Sequence, residues 1–386
     1  MIEISEKKKC TGCEACANIC PKKCIFMQLD EEGFRYPKVN LEQCVNCNLC
    51  VGLCPEKLYL QQKTTIYAAY NKDEKTRLMS SSGGIFSLFA DYILSREGIV
   101  VGAYLDSSMN LYHIGVEQME DLSKLRGSKY IQSHIGSIYR EIKNYLDNGK
   151  LVYFTGTSCQ IHGLKVFLKK DYSNLICQDM ACNGVTSDLL WKKYLQYLKN
   201  RHHKAEVIRF DFRDKRSGWK QYSVNAKYNN GKSRSIMSYD DLFMRAYKSK
   251  LFMRPACYDC SFKGVNRESD ITLADFWGVE HIMPEFDDDK GASLVMLHSS
   301  RGKEIFEVMM NHMCVSEIDA EQAVRYNPAI IKSVNEPAKR TDFVAEFQGN
   351  NNFKRIIKKY CGDSFTLDLK VKTSRFIQKI LKNRFE

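Results

Sequence analysis

Two stretches near the start of the chain repeat one spacing of cysteines. Each reads C-x₂-C-x₂-C-x₃-C and is followed by a proline, Pro21 in the first copy and Pro55 in the second. Three closely spaced thiolates can bind one face of a 4Fe–4S cube, while the fourth, at the proline, reaches across to another cube. The spacing therefore predicts two cubes with crossed ligand sets: Cys10, Cys13, Cys16 and Cys54 for cluster one, and Cys44, Cys47, Cys50 and Cys20 for cluster two.

Zinc is the alternative for these eight thiols, because it also binds sets of four cysteines. Zinc sites are usually built from pairs of C-x₂-C, and a triple of cysteines followed by C-P, occurring twice, is hard to explain that way. The repeat is typical of bacterial two-cluster ferredoxins, which transfer single electrons. Cys24 lies just outside the pattern and is interpreted as a small buried side chain rather than a ligand.

A later C-x₂-C has no second pair nearby to complete a metal site. Upstream of it, LVYFTG (151–156) and NLICQDMA (174–181) read as buried strands, and each is followed by a cysteine and then a helix. Strand–helix–strand with a short crossover predicts neighbouring parallel strands, whose carboxyl ends meet at one sheet edge. The four thiols expected to meet there and to hold a third 4Fe–4S cluster are Cys159, Cys182, Cys257 and Cys260.

A zinc site, or two separate pairs of buried thiols, would also account for this third set, since zinc accepts four cysteines as well. The remaining thiols, Cys177, Cys314 and Cys361, lie in apolar or unpatterned contexts and are interpreted as structural.

The elements that must position these thiols predict an α+β / α/β protein with two unlike parts. A small two-cluster ferredoxin-like domain is expected over residues 1–60 and a polar connector over 61–79. A mixed-sheet α/β domain with an antiparallel portion is expected over 80–336, followed by a basic helical tail over 337–386. Within the body, Asn230-Gly231 between two strand-like stretches predicts a hairpin.

Composition and charge restrict the class of protein. The 386 residues are 44% hydrophobic and 27% charged, and sixteen cysteines in a reducing compartment favour metal binding over disulfides. The charged start, MIEISEKKKC, is unlike a signal peptide, and no apolar run is long enough to span a membrane, so a cytoplasmic protein is expected.

The net charge of +12 is concentrated at the C-terminal end. Ten of the 58 Lys and Arg residues but only three of the 46 Asp and Glu residues fall within 351–386, so seven of the twelve net charges lie there. A basic tail on a nearly balanced body argues against nucleic-acid binding. Apolar residues recur at helical spacing among the final cations, which suits a helix on a membrane surface, or equally one packed on the body or on an acidic partner: Phe376, Ile377, Ile380, Leu381 and Phe385.

The body resembles the beta subunits of coenzyme F420 hydrogenases and dehydrogenases. Seven stretches between residues 75 and 335 carry the resemblance, in family order: SSGGIFS, KLRGSKYIQS, FTGTSCQIHGL, DMACNGVTS, FRDKRSGW, RPACYDCSFK and SDITLADFWG. It implies a flavoprotein with FAD and an iron–sulfur cluster that exchanges electrons with a small organic acceptor, F420 in named members and a chlorophyll derivative in plant relatives. Ser158 and Asn183 depart from the proline and histidine that the family often has, and the missing histidine leaves the proton donor unassigned.

Given that resemblance, backbone N–H groups at a helix start and a neighbouring cation are the expected flavin contacts. A serine-capped, glycine-opened helix and a solvated loop are the ordinary alternatives for the same residues. The residues predicted to contact the flavin are Ser82, Gly83, Gly84, Lys129, Tyr130, Gly156 and Thr157.

Other candidate residues are left without a chemical role. Asp275 and Trp277 either line the pocket or close the core, and His162 and the His202-His203 pair are interpreted as surface or packing residues. No catalytic acid or base is identified.

The sequence as a whole predicts an iron–sulfur flavoprotein oxidoreductase that exchanges electrons with a ferredoxin-like protein and with a small molecule, F420 or another. A non-catalytic electron relay, which needs no flavin, is the alternative. A zinc protein that binds nucleic acid fits the number of cysteines but neither their spacing nor the charge distribution.

Overall fold

A computed structural model describes residues 1–54 and 63–362, whose strands form three sheets. A two-stranded antiparallel sheet lies in the N-terminal part, and a three-stranded and an eight-stranded sheet lie in the body. In chain order the strands are β1 Ile25–Leu29, β2 Arg35–Val39, β3 Thr65–Asn71, β4 Ile99–Leu105, β5 Leu111–Val116, β6 Val152–Thr155, β7 Leu175–Met180, β8 Val207–Asp214, β9 Ser223–Tyr228, β10 Ser233–Met237, β11 Ile271–Asp275, β12 Ser293–Leu297 and β13 Met313–Glu317.

The large sheet has the order β13-β3-β12-β11-β7-β6-β4-β5. Its middle, from β4 through β6 and β7 to β11, is parallel, and the outer strands are antiparallel. The predicted parallel neighbours β6 and β7 are confirmed, and so is the mixed α/β class. Val100 and Val101 in β4 point to opposite faces, and both are fully buried because helices cover the sheet on both sides.

Twelve α-helices lie within the described residues. They are α1 Ala15–Ile19, α2 Glu74–Leu78, α3 Ile85–Leu94, α4 Ile138–Asp147, α5 Ser158–Leu168, α6 Asp188–Arg201, α7 Leu242–Ser249, α8 Val279–Ile282, α9 Ser300–Met309, α10 Ala320–Arg325, α11 Arg340–Gly349 and α12 Phe353–Cys361. Helices α3 and α9 bury apolar side chains on one face of the large sheet, and α4 and α5 do so on the other.

The predicted connector over residues 61–79 is wrong in part. Thr65–Asn71 forms β3, which lies between β12 and β13 inside the large sheet, and Ala68 and Ala69 are fully buried there. The body domain therefore begins before residue 80. The sequence did not reveal this strand because its partners lie more than two hundred residues downstream.

The small sheet β8-β9-β10 packs with α6 and α7 in an aromatic core beside the large sheet. As predicted, β9 and β10 form a hairpin, and its turn places Gly231 at φ 81°. The first part of the predicted tail, α11 and α12, buries Phe343, Phe347 and Ile356 in the same core.

The proposed membrane-surface helix falls in residues 363–386, outside the described residues. None of the helices formed by residues 1–54 and 63–362 is long and apolar enough to cross a membrane.

Candidate redox site

The thiols predicted to bind cluster one lie together at the inner side of the N-terminal domain. Burial raises the pKa of Cys16 above its usual value, and the neighbouring Cys13, Cys10 and Cys54 raise it further. Burial likewise raises the pKa of Cys54 to about 11, with Cys10 and Cys13 adding to the shift. The four sulfurs are therefore close enough to disfavour one another's negative charge, as the crossed ligand set requires. Their role as ligands remains a prediction.

The thiols predicted to bind cluster two line one cavity, whose empty volume is ≈ 360 Å³ including space open to solvent. Cys20, Cys44, Cys47 and Cys50 all border it. Cys24, interpreted from the sequence as a small buried side chain, is buried but lines the same cavity, with its Sγ 3.3 Å from the Sγ of Cys20.

The four cysteines predicted to hold a third cluster also come together. Cys159 is the second residue of α5, just beyond β6, and Cys182 follows β7, so the parallel pairing of β6 and β7 brings both to one edge. The turn Pro255–Cys257 and the residues after it bring Cys257 and Cys260 to the same edge. Burial raises the pKa of Cys159 well above its usual value, and Cys260, Cys182 and Cys257 raise it further.

This third thiol set fits an iron–sulfur cluster by its chemistry. Burial raises the pKa of Cys257 to about 12, so that thiol keeps its proton until a metal centre displaces it. Four thiolates are soft donors of the kind that such clusters use. Gly184, at φ 90°, brings the backbone after Cys182 so close that an added Cβ would lie 3.1 Å from the Cβ of Cys257. No three His, Cys, Asp or Glu side chains in the described ranges stand close enough to hold a single ion.

The predicted flavin contacts at the start of α3 are used mainly for packing. Ser82 Oγ donates to Ala292 O at 2.7 Å, and the N–H of Gly83 donates to Ser293 Oγ at 3.0 Å. A Cβ at Gly83 would lie 2.6 Å from Ala69 O, so the glycine permits close contact with β3. Gly84 takes φ 82° as the residue before α3. A flavin contact by these three residues stays a prediction.

The loop that carries Lys129 adjoins the start of α3, because the N–H of Ser128 donates to Ser81 Oγ at 2.8 Å. Lys129 Nζ donates to Leu125 O at 2.9 Å and to Arg126 O at 3.0 Å, and burial lowers its pKa to about 7. Gly156 continues the sheet through a hydrogen bond from its N–H to Gln178 O. Thr157 caps α5, and its Oγ1 lies 3.1 Å from Cys159 Sγ, so this residue borders the third thiol set.

A buried guanidinium that the sequence did not single out lies near Tyr130. The side chain of Arg213 is 2% exposed, and its Nη1 pairs with Asp275 Oδ2. Its Nε and Nη2 are buried without a hydrogen-bond partner. The guanidinium lies over the rings of Tyr222 and Trp277, at 4.7 and 5.3 Å from their centroids. Orphaned donors on a buried cation indicate a polar or anionic group that completes the site.

Stacked aromatic rings lie beside Arg213, and the group of Arg213, Tyr222, Asp275, Trp219 and Trp277 is called the Arg213 cluster. Trp219 and Trp277 lie parallel, with centroids 4.7 Å apart and an interplanar angle of 4°. Trp219 Nε1 donates to Asp275 Oδ1 at 3.2 Å, which fixes the carboxylate between the indole and Arg213. Both roles considered for Asp275 and Trp277 stay predictions: Asp275 pairs with Arg213, while Trp277 packs against the hydrophobic cluster that contains Trp219. The stretches FRDKRSGW and SDITLADFWG, which carry the family resemblance, were the signal for these residues.

Two tyrosines lie near both the Arg213 cluster and the third thiol set. The rings of Tyr130 and Tyr247 lie 4.4 Å apart. Burial raises the pKa of Tyr247 well above its usual value, and Tyr130 and Cys182 raise it further, so Tyr247 is close to the thiols as well as to Tyr130.

Another cavity, of ≈ 310 Å³ empty volume including open space, is lined by Ser158 and Ile161, the neighbours of Cys159 in α5. Its wall contains an Arg267–Asp179 ion pair at 3.0 Å, to which Ser158 is hydrogen-bonded. His162, interpreted from the sequence as a surface or packing residue, is buried and pairs with Glu268 at 2.8 Å. His202 and His203 follow the last residue of α6.

Comparisons with known proteins agree with the two-part organisation. Residues 149–323 match the family model for the C terminus of the coenzyme F420 hydrogenase/dehydrogenase beta chain, and residues 9–58 match a 4Fe–4S dicluster domain. Residues 149–323 belong to that family. The chain therefore joins a 4Fe–4S dicluster domain to a region of an oxidoreductase family.

A chain from a structure of the F420-reducing [NiFe] hydrogenase complex of Methanosarcina barkeri is similar to this chain, with 17% sequence identity and a TM-score of 0.46. The match covers 73% of this chain and 99% of the other. A search of the curated proteins found no match.

Proposed function

We propose that this chain is an iron–sulfur flavoprotein oxidoreductase that moves electrons between 4Fe–4S clusters and FAD and exchanges them with a small organic molecule, coenzyme F420 or another. The observation that supports it best is that three groups of residues are neighbours in the body. Four thiols meet at one sheet edge, two tyrosines lie near them, and the Arg213 cluster, with the orphaned Nε and Nη2 of Arg213, comes next.

The residues present suit a flavin ring next to Arg213. A bound flavin supplies the conversion between one-electron and two-electron chemistry. Arg213 would donate from Nε and Nη2 to a carbonyl or anionic edge of the ring, while Asp275 holds the guanidinium in place through Nη1. The indole of Trp277 offers a flat surface for stacking. The thiols of the third set, deprotonated on binding iron, would hold the neighbouring cluster.

The proposal is tested by reducing the anaerobically purified full-length protein with a reduced two-cluster ferredoxin. We expect the absorbance of bound oxidised flavin to be bleached, and to return when oxidised F420, or another small acceptor that the protein uses, is added. The variant Cys257→Ser should keep its flavin but lose the bleaching, since a ligand of the connecting cluster is missing. Iron-loaded wild-type protein that neither contains nor binds flavin would identify a non-catalytic electron relay instead.

A further inference from the structure

The dicluster domain is fixed to the body on the side of cluster one. Helix α1 packs against α5 and α4. The buried carboxylate of Glu14 accepts hydrogen bonds from Ile135 N at 3.2 Å and Gly136 N at 3.0 Å and pairs with His134 at 2.6 Å. Because a buried carboxylate without these partners would be costly, the contact resists rotation of one domain against the other.

Gly163 in α5 permits close contact between the body and a cysteine of cluster one. A Cβ at this position would lie 2.9 Å from the Cβ and 3.1 Å from the Sγ of Cys13, a predicted ligand of cluster one. Cys159, a predicted ligand of the third cluster, precedes Gly163 by one helical turn and so lies on the same side of α5. Cys159 and the place where Cys13 contacts α5 are therefore about one helical turn apart along this helix, roughly 6 Å of rise.

Tyr139 fills the space between these two thiols. Its hydroxyl donates to Gln160 O at 2.8 Å and would lie 2.9 Å from a Cβ at Gly163. Burial raises the pKa of Tyr139 well above its usual value, and Cys13 and Cys159 both add to the shift, so the hydroxyl is near both sulfurs.

Arg254 connects the same two sites from the other side. This fully buried residue donates from Nε to Cys10 O at 2.7 Å and from Nη2 to Cys10 Sγ at 3.4 Å. It precedes Cys257, a predicted ligand of the third cluster, by three residues. Gln132 holds it by accepting from Nη1 at 3.0 Å.

Cluster two differs in the kind of donor that reaches its sulfurs. Each set has one exposed thiol, Cys54 in cluster one and Cys47 in cluster two, but Cys50 Sγ accepts a hydrogen bond from the neutral backbone N–H of Ile2 at 3.2 Å. The cation near Cys20 is Arg140. Its Nη2 donates to the backbone carbonyl oxygen of Cys20 at 3.0 Å rather than to the sulfur.

We propose that electrons cross between the dicluster domain and the body at this contact, from cluster one to the third cluster, and that Arg254 raises the reduction potential of cluster one above that of cluster two. The proposal deepens the proposed function and rests on it for the third cluster. In each transfer one centre is oxidised by one electron and the next is reduced by one, with no bond made or broken. The external reductant is a ferredoxin-like protein. Hydrogen bonds and positive charge at a cluster sulfur favour the reduced, more negative state.

The test for Arg254 is a redox titration of the full-length protein followed by electron paramagnetic resonance. In Arg254→Gln we expect one N-terminal cluster to shift to a more negative midpoint potential while the other stays unchanged. Arg140→Gln is the matched control, because it also removes a domain-binding arginine but one that touches no thiol. An unchanged potential in Arg254→Gln, or an equal shift in Arg140→Gln, would overturn the assignment. This readout needs only the N-terminal clusters, so it holds even if the third cluster is absent and the proposed function fails.

Gly163→Ala tests the route if Arg254→Gln does not fold. The added methyl group must push Cys13 and Tyr139 away from α5, and we expect a weaker magnetic interaction between cluster one and the third cluster and slower reduction of the body. Gly349→Ala is the control, since a Cβ at that helical glycine meets nothing within 4 Å. If Gly163→Ala keeps the magnetic interaction and the rate of the wild type, electrons do not cross here.

Discussion

Two buried arginines, Arg254 and Arg213, lie near the proposed redox centres, and the number of hydrogen-bond partners distinguishes their roles. The guanidinium of Arg254 is occupied by Cys10 and Gln132, which suits a cation that holds two parts of the protein together. Arg213 is equally buried, yet Nε and Nη2 lack partners. Leaving a charged donor buried and unpaired costs about 1–3 kcal/mol or more, so such a group indicates a binding site.

At Arg213 the prediction concerns flavin binding. Arg213→Gln removes the cation and its two orphaned donors, and we expect flavin affinity to fall by about 1.5–3 kcal/mol, or about tenfold or more, with iron content unchanged. Arg216→Gln is the control from the same motif, since Arg216 is exposed and pairs with Asp214. Flavin affinity can be measured by titrating FAD into deflavinated protein and following its fluorescence. Equal affinities for the two variants would remove Arg213 from the flavin site.

A second prediction at this scale concerns the third thiol set. Cys257→Ser should remove about four of twelve irons, because each cube contains four, and should leave the N-terminal clusters in place. Cys314→Ser is the control, since Cys314 lies in β13 away from the other thiols. Iron analysis of anaerobically purified protein measures both. Full iron content in Cys257→Ser would show that this cysteine holds no cluster.

Among the elements, local patterns were predictable and distant pairings were not. The alternation from β6 through α5, β7 and α6 could be inferred because each element has its own apolar pattern and the connections are short. That inference also placed Cys159 and Cys182 at one edge. Strand β3 was missed because its partners are far along the chain, and the Arg213–Asp275 pair was missed because it joins β8 to β11 through a contact between two sheets. Neither pairing leaves a local signal in the sequence.

A pH-dependent contribution to stability is expected from strand β5. His113 is buried, its Nε2 donates to Thr155 O at 3.1 Å, and burial lowers its pKa to about 4. The folded protein therefore keeps this ring neutral while the unfolded chain binds a proton below about pH 6.5. Its contribution is complete above about pH 6.5 and falls by up to about 1.4 kcal/mol per pH unit toward the folded pKa.

The comparison of wild type with His113→Gln measures this effect. Urea unfolding, followed anaerobically by tryptophan fluorescence from about pH 7 to about pH 5, should give a steeper loss of unfolding free energy in the wild type than in the variant. His281→Gln, a change at an exposed histidine, should keep the wild-type slope. Parallel slopes for wild type and His113→Gln would contradict the prediction.

For the whole molecule, the C-terminal residues are expected to be dispensable for cofactor binding. All proposed thiol ligands precede residue 261, so deletion of residues 366–386 should leave iron and flavin content unchanged. If the segment binds membranes, the full-length protein should bind anionic vesicles at low salt and the truncated protein should not. Loss of iron on truncation would show that the segment supports the fold, and the absence of vesicle binding by the full-length protein would end the membrane hypothesis.

The proposed electron path has four centres. Electrons pass from cluster two to cluster one, which contacts the body at Arg254 and Gly163, then to a third cluster at the sheet edge and to a flavin beside Arg213. The central claim is that one chain carries all four redox centres. The most direct measurement is the amount of iron and of FAD per chain in full-length protein purified without oxygen. The account predicts about twelve irons and about one FAD. About eight irons with no flavin, in protein that also fails to bind added FAD, would contradict it.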